Sequence, residues 1–284
     1  MKRSYFHLVT CLAALAFIAT GTAHAQNNKG SGSTSVVPGA PIVIPGGAFT
    51  TAYVISTSGS YVLGGDRVTN GSVHNIEINA ANVTLDLNGF TLTQWGSTKA
   101  GVYIPFPDNV EIRNGSIERG SSGIWGLIGH NVRVKQVRVM GSLWGIELQA
   151  SCEIEHCQIY DASNVGIFVV DSPGLITDCI VQSSGSESYG VSAHAGSRVT
   201  RTLVSGSKFG IVLSNASAVD CTAAQCQTGV KFTKAATLRN CDVQNNTLGV
   251  LSSGVDNVIT GSRISNNTTN VSGSYTQGIG NTLL

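Results

Sequence analysis

Residues 145–159, GIELQASCEIEHCQI, and residues 166–181, GIFVVDSPGLITDCIV, are one phrase written twice. Each opens on Gly-Ile, runs on as alternating apolar and polar residues, and closes on a hexamer, IEHCQI from Ile154 or ITDCIV from Ile176. Alternation over so few residues is strand patterning, and nothing between the two copies carries the 3.6-residue period of an amphipathic helix.

Working outward, Gly followed by Val or Ile recurs at Gly101, Gly123, Gly145, Gly166, Gly190, Gly210, Gly229 and Gly249, with Asn270-Val271 as a ninth instance. The spacings are 22, 22, 21, 24, 20, 19, 20 and 21 residues. The hexamer keeps phase with it: LNGFTL from Leu87, IRNGSI from Ile112, VKQVRV from Val134, VTRTLV from Val199, AVDCTA from Ala218, LRNCDV from Leu238 and ITGSRI from Ile259. Two columns in phase define a repeat, and a repeat of this length means a solenoid or an array. The third hexamer residue is mostly Gly, Asn, Asp or His, the types that best tolerate a left-handed backbone, so a sharp bend is expected there. One coil is then three short strands separated by a loop, the bend and a return turn. Such a unit cannot bury its own apolar side, but units stacked at about 4.8 Å enclose a continuous core.

On these residues the chain from about Tyr61 to Tyr275 resembles the right-handed parallel β-helix repeat family, the superfamily that includes pectate lyases. NVTLDLNGFTL (82–92) is similar to that family's opening coil. The resemblance implies an all-β fold, a single-stranded right-handed parallel β-helix of about nine to ten coils with three short strands per coil. It would fill residues 48–284, with an N-terminal cap near Phe49 to Val68. It implies little about activity, because the repeat encodes stacking. Enzymes of the superfamily hold calcium on carboxylates beside a basic residue, or carry NTD, DD, GHG and RxK motifs. NTD, DD and GHG are missing here. Arg133-Val134-Lys135 matches RxK but reads as two solvated charges flanking a core valine.

Composition agrees with an exported β-rich chain. Of 284 residues 42% are hydrophobic and only 12% charged, and 34 are glycine, which excludes a charge-laced coiled coil and a disordered tail. Lys2-Arg3, an apolar stretch from Leu8 to Ile18 and Ala23-His24-Ala25 make residues 1–25 a secretory signal peptide, so a secreted or periplasmic location is expected. Residues 26–47 read as a flexible leader rich in Gly, Ser and Pro. Losing Lys2 and Arg3 from 17 basic residues leaves 15 against 16 acids, a net charge of −1. No basic stripe for nucleic acid and no membrane span remain, and no cofactor is evident. Six cysteines survive, four of them (Cys157, Cys179, Cys221, Cys241) at the fourth hexamer position. Buried free thiols and disulfides between neighbouring coils are both open, whereas the zinc spacings are absent and no metal site is expected.

The functional residues expected from this pattern are mostly aromatic. Tyr103, Trp125, Glu147 and Phe168 follow the apolar residue of the Gly-Val/Ile pair and should point outward. Trp144, Tyr189 and Phe209 stand just before the repeat glycines, at the adjoining corner. Together they predict an exposed aromatic strip beside an acid, a surface on which sugar rings stack. Rings stacked only on one another, or covered by the leader, is the alternative. Candidate proton-transfer residues are His130, Asp171 and His194, in the loops after the first strand, and Glu147. Asp178 and Asp220 share the bend column two coils apart, a separation long even for an inverting pair. The function expected is binding of, or action on, an extracellular or cell-wall polysaccharide; the alternative is a noncatalytic structural or adhesive surface protein. The N-terminal reading is checked by sequencing the exported protein, which should begin at Gln26; retention of Met1 in that fraction would contradict it.

Overall fold

The computed structural model describes residues 39–284 apart from Ser97, Pro107, Ser186 and the side chain of Ile128. The signal segment and residues 26–38 of the leader lie outside the described residues. Thirty-one strands follow one another without a helix among the described residues, and every pairing is parallel. They form three ladders. The first sheet runs from Tyr53–Ile55 to Thr269–Gly273, the second from Ile42–Ile44 to Thr276–Gln277, and the third from Gly47–Phe49 to Thr282–Leu283. The result is a parallel β-solenoid of about eleven turns, more than the nine to ten expected from the repeat. The additional turns lie at the N-terminal end. Ile42–Ile44 pairs with Tyr61–Leu63 inside the stretch whose composition reads as leader, and at the next turn Asn75-Ile76 occupies the register of Gly101-Val102.

The inward positions follow the alternation: Val102, Ile124, Ile146 and Ile167 are fully buried one above another. The repeat glycine has a steric cause. A Cβ on Gly145 would lie 2.7 Å from Ile159 Cγ2, on Gly229 2.6 Å from Val243 Cγ1, and on Gly249 2.8 Å from Ile264 Cγ2. Each partner is the sixth hexamer residue of the same coil. The two columns are therefore the two sides of one packed corner, where the closing strand meets the start of its own coil.

The bend also falls where expected. Asn114, Gln136, His156, Asp178, Arg201, Asp220 and Asn240 all have φ between 45 and 56°, and Gly261 has 59°. Gln136 and Arg201 take this conformation although their type does not favour it, so stacking overrides local preference. Arg201 donates to Asp178 through Nε and Nη2, both at 2.7 Å. That guanidinium holds the Asp178 carboxyl below the usual carboxylate range, consistent with a structural bend. On the second sheet Val134 is buried while Lys135 reaches Glu155 at 3.0 Å and Arg133 reaches Glu153 at 3.5 Å, so the RxK residues serve a surface ion network.

All six described cysteines are free, buried thiols. Burial pushes the Cys152 thiol up to about 12. The fourth hexamer position has a role beyond filling space. The backbone N–H of Cys179 donates to Thr202 Oγ1 (3.4 Å), that of Cys221 to Cys241 Sγ (3.4 Å), and that of Cys241 to Ser262 Oγ (3.1 Å). Cys, Thr and Ser interchange here because each is a small acceptor for an otherwise unpaired corner N–H.

At the N-terminal end the inward column of Leu92 and Ile117 is continued by Arg67, which is 2% exposed. No carboxylate answers it among the described residues. Its guanidinium lies 3.8 Å from the Phe49 ring centroid and donates to the carbonyls of Thr51 (3.1 Å) and Asn75 (3.4 Å). Burial brings its pKa down to about 10. Buried Asn75 donates in turn to the carbonyls of Arg67 and Thr93. The first turns are thus closed by a polar plug in which charge is dispersed over carbonyls and a ring face.

Thermal melts test the packing. Ile146→Asp buries an unpaired charge and should cost several kcal/mol, and Gly145→Ala, forced against Ile159, about 1 to 3 kcal/mol. Outward Glu147→Ala should cost about 0.5 kcal/mol or less. Equal tolerance of the three would show the inward and outward assignments to be wrong.

Candidate functional site

Because the rungs are in register, the outward residues of the first sheet form one column: Glu77, Tyr103, Trp125, Glu147, Phe168, Ser192, Val212 and Lys231. A second column at the preceding corner carries Trp144, Val165, Tyr189 and Phe209. The six aromatic residues expected from the sequence therefore lie on one face, and each is half-buried. They also touch one another. Tyr103 and Trp125 have ring centroids 4.8 Å apart, Trp144 meets Phe168 edge-on at 5.4 Å, and Tyr189 stacks on Phe209 at 5.2 Å. Stacking fixes the rings and leaves their outer surfaces open, so mutual stacking and a solvent-facing strip coexist.

Residues other than the six aromatics extend the strip. His74 stacks on Tyr103 at 4.3 Å and accepts the Ala100 N–H at Nδ1 (3.0 Å), which requires that nitrogen to be unprotonated. Burial and nearby Lys99 hold its pKa below the ordinary histidine value. Lys231 places Nζ 4.6 Å from the Phe209 ring centroid. A sequence signal for His74 existed in Asn75-Ile76, which stands where later coils have Gly-Val/Ile. Ser192 and Lys231 follow Gly190-Val191 and Gly229-Val230 in the position of Tyr103, Trp125 and Phe168, so alternation already places both on this face.

Trp144, Phe168, Tyr189, Ser192, His194 and Lys231 are among the residues that line a cleft of about 320 Å³ on this face. Ser192 Oγ and His194 Nε2 are 2.9 Å apart, and His194 meets the edge of Phe168 at 5.9 Å. Burial lowers the His194 pKa, opposed by the charge of Asp171, so the imidazole is neutral at neutral pH. Ser192 is only 5% exposed, which leaves its hydroxyl poorly placed to attack a substrate.

The four proton-transfer candidates are not gathered into one cluster. His130 is exposed and faces Asp108, 3.2 Å from its carboxylate. Asp171 is an exposed left-handed residue (φ 64°) that acts on His194 through its charge, with no hydrogen bond between them among the described residues. Glu147 lies between Trp125 and Phe168, and receives a hydrogen bond from Ser122 Oγ at 3.4 Å. Burial raises its carboxyl above the usual range, partly offset by that bond. Glu77, the other acid of the column, is three rungs away, about 14 Å, beyond the separation of paired carboxylates in glycoside hydrolysis. No group of three or more His, Cys, Asp or Glu residues suited to a metal ion occurs among the described residues.

Comparison with known proteins bears on the fold. Among solved structures, a double mutant of the periplasmic alginate epimerase AlgG is similar with a TM-score of 0.50 at 13% identity, covering 84% of this chain and 69% of that one. The A-module of the Azotobacter vinelandii mannuronan C-5 epimerase AlgE4 gives 0.35 at 12% identity, over 84% of this chain and 89% of that one. The catalytic domain of a GH87 α-1,3-glucanase in complex with nigerose gives 0.34 at 11%, over 78% and 54%. At these identities the likeness is one of fold alone. No curated protein matches the chain. The family model described as right handed beta helix region matches residues 50–209, more than half the chain and the span that carries most of the aromatic face. With its parallel rungs, left-handed bends and glycine corners, the chain belongs to the right-handed β-helix family.

Proposed function

We propose that this chain binds an extracellular or cell-wall polysaccharide along the first sheet. The observation that carries the reading is the row of half-buried rings on adjoining columns, held rigid by stacking and opening into a cleft between Trp144, Phe168 and Tyr189. Rungs about 4.8 Å apart are comparable with the advance per residue of an extended polysaccharide, so successive sugars can meet successive coils without loop movement. Apolar ring faces supply the affinity. The titratable groups of the face support binding more directly than catalysis: its two carboxylates, Glu77 and Glu147, stand three rungs apart, and neutral His194 is bonded to a buried serine. Export through the N-terminal segment belongs to the same proposal.

The direct test is a glycan array with the purified protein, followed by calorimetry on any glycan retained. Trp125→Ala and Trp144→Ala should each weaken binding by about 1 to 3 kcal/mol, the range for an interface anchor, with the fold retained and cooperative melting at a somewhat lower temperature from the lost stacking. Unchanged affinity in both would take the strip out of the site and favour the adhesive alternative.

Acidity provides a second test. His74 and His194 are held neutral in the fold and titrate near 6.5 when unfolded, so their contribution is present above that value. It is lost as pH falls below about 6.5 and through the lowered folded pKa values. Melting temperature should therefore drop as pH falls below about 6.5, and the double variant His74→Gln, His194→Gln should flatten that dependence. An unaltered slope in the variant would show that neither histidine is linked to folding.

A further inference from the structure

Along the outward column of the first sheet the two acids come before the lysine. Glu77 and Glu147 stand in the half that carries Tyr103, Trp125 and Phe168, while Lys208 and Lys231 flank Phe209 farther along. Lys208 is bonded to Glu187. Glu147 differs from half-buried acids of the other two sheets, which are answered by cations: on the second, Asp86 by Arg113 at 3.0 Å and Glu155 by Lys135 at 3.0 Å, and on the third, Asp242 by Arg263 at 2.6 Å. Its one hydrogen-bond partner is the Ser122 hydroxyl, and it makes no ion pair among the described residues. Aromatic residues occupy the rungs on either side of it, Trp125 and Phe168, and Trp144 lies on the same coil against Phe168.

A carboxylate set between aromatic rungs, with no cation of its own, is complementary to a cation on a ligand. The ring quadrupole and the carboxylate charge attract the same group, and partial burial strengthens both. A polyanionic chain laid here would instead bring like charge against Glu147. The Trp125 Nε1–H is buried without a partner, so the fold's own hydrogen bonds do not account for how this ring is set.

We propose that Glu147, with Trp125, Phe168 and Trp144, forms a subsite for an ammonium group, so that the polysaccharide bound on this face is one bearing free amino groups, such as a partly de-N-acetylated hexosamine polymer. This rests on the polysaccharide reading given above. Burial raises the Glu147 carboxyl in the free protein, and a bound ammonium would draw it back toward ionisation. A periodic face favours a polymer of sugars over a single lysine side chain, because the rings on neighbouring rungs then have partners as well.

Calorimetry on the purified protein with hexamers of glucosamine, N-acetylglucosamine, glucose and a hexuronic acid, and with hexalysine, tests this. The glucosamine hexamer should bind at least about tenfold more tightly than the two neutral hexamers, a single desolvated charge contact being sufficient for that factor. In Glu147→Gln the preference should collapse to near unity, whereas Glu118→Gln, the same charge change on the third sheet, should keep it. Equal affinity for amine and neutral hexamers, a preference that survives Glu147→Gln, or hexalysine binding as tightly as the glucosamine hexamer overturns the ammonium-sugar subsite. In the first two cases the polysaccharide reading stands on the neutral sugars. Failure of every sugar hexamer to bind overturns that reading together with the subsite.

Discussion

In-register parallel stacking is the constraint on which the rest of the molecule depends. Each backbone rung bonds to the next at a fixed rise, so a side chain has no choice of neighbour: the residue in the same column one coil away is beside it. This makes the glycine corner unforgiving. The sixth hexamer residue fills the space a Cβ would need, and the same clash recurs at Gly145, Gly229 and Gly249 because the same coil geometry recurs. It also explains why Gln136 and Arg201 accept a left-handed backbone: one unfavourable residue costs less than losing register with the coils above and below.

Where chemistry tolerates exchange, the same constraint shows as a change of residue type at a constant role. The corner N–H groups are met by sulfur at Cys241 and by hydroxyls at Thr202 and Ser262. The Asn ladder works likewise, with Asn246 Oδ1 accepting the Cys226 N–H and Asn267 Oδ1 accepting that of Asn246. A cysteine count in such a fold reports on acceptors and packing as much as on redox chemistry.

The repeating coils were legible in the sequence because glycine and hexamer are two readouts of one packed corner. The first turns were not. Ile42–Ile44 lies among Gly and Pro residues, and Arg67 takes an inward position through contacts to Phe49 and to carbonyls that no local pattern encodes. The aromatic face was legible by alternation alone, since Tyr103, Trp125 and Phe168 each follow an inward Val or Ile. Its depth was not: Ser192 bonding His194 and Lys231 lying over Phe209 depend on how far side chains reach between rungs. The proton-transfer candidates show both cases. His130, expected in a loop, falls inside the strand Ser122–Met140, where register sets it against Asp108, whereas Asp171 sits in a loop whose shape no register fixes.

Glu147 and Lys231 stand on one column four rungs apart, about 19 Å. Because the interval is counted in coils, it is quantised. No point substitution on the intervening strands can lengthen or shorten it gradually, whereas insertion or loss of one coil shifts it by a whole step of about 4.8 Å. The face is thus a ruler whose graduations are backbone hydrogen bonds, and a change in the spacing of ligand groups it can read requires duplication or deletion of roughly twenty residues at a time.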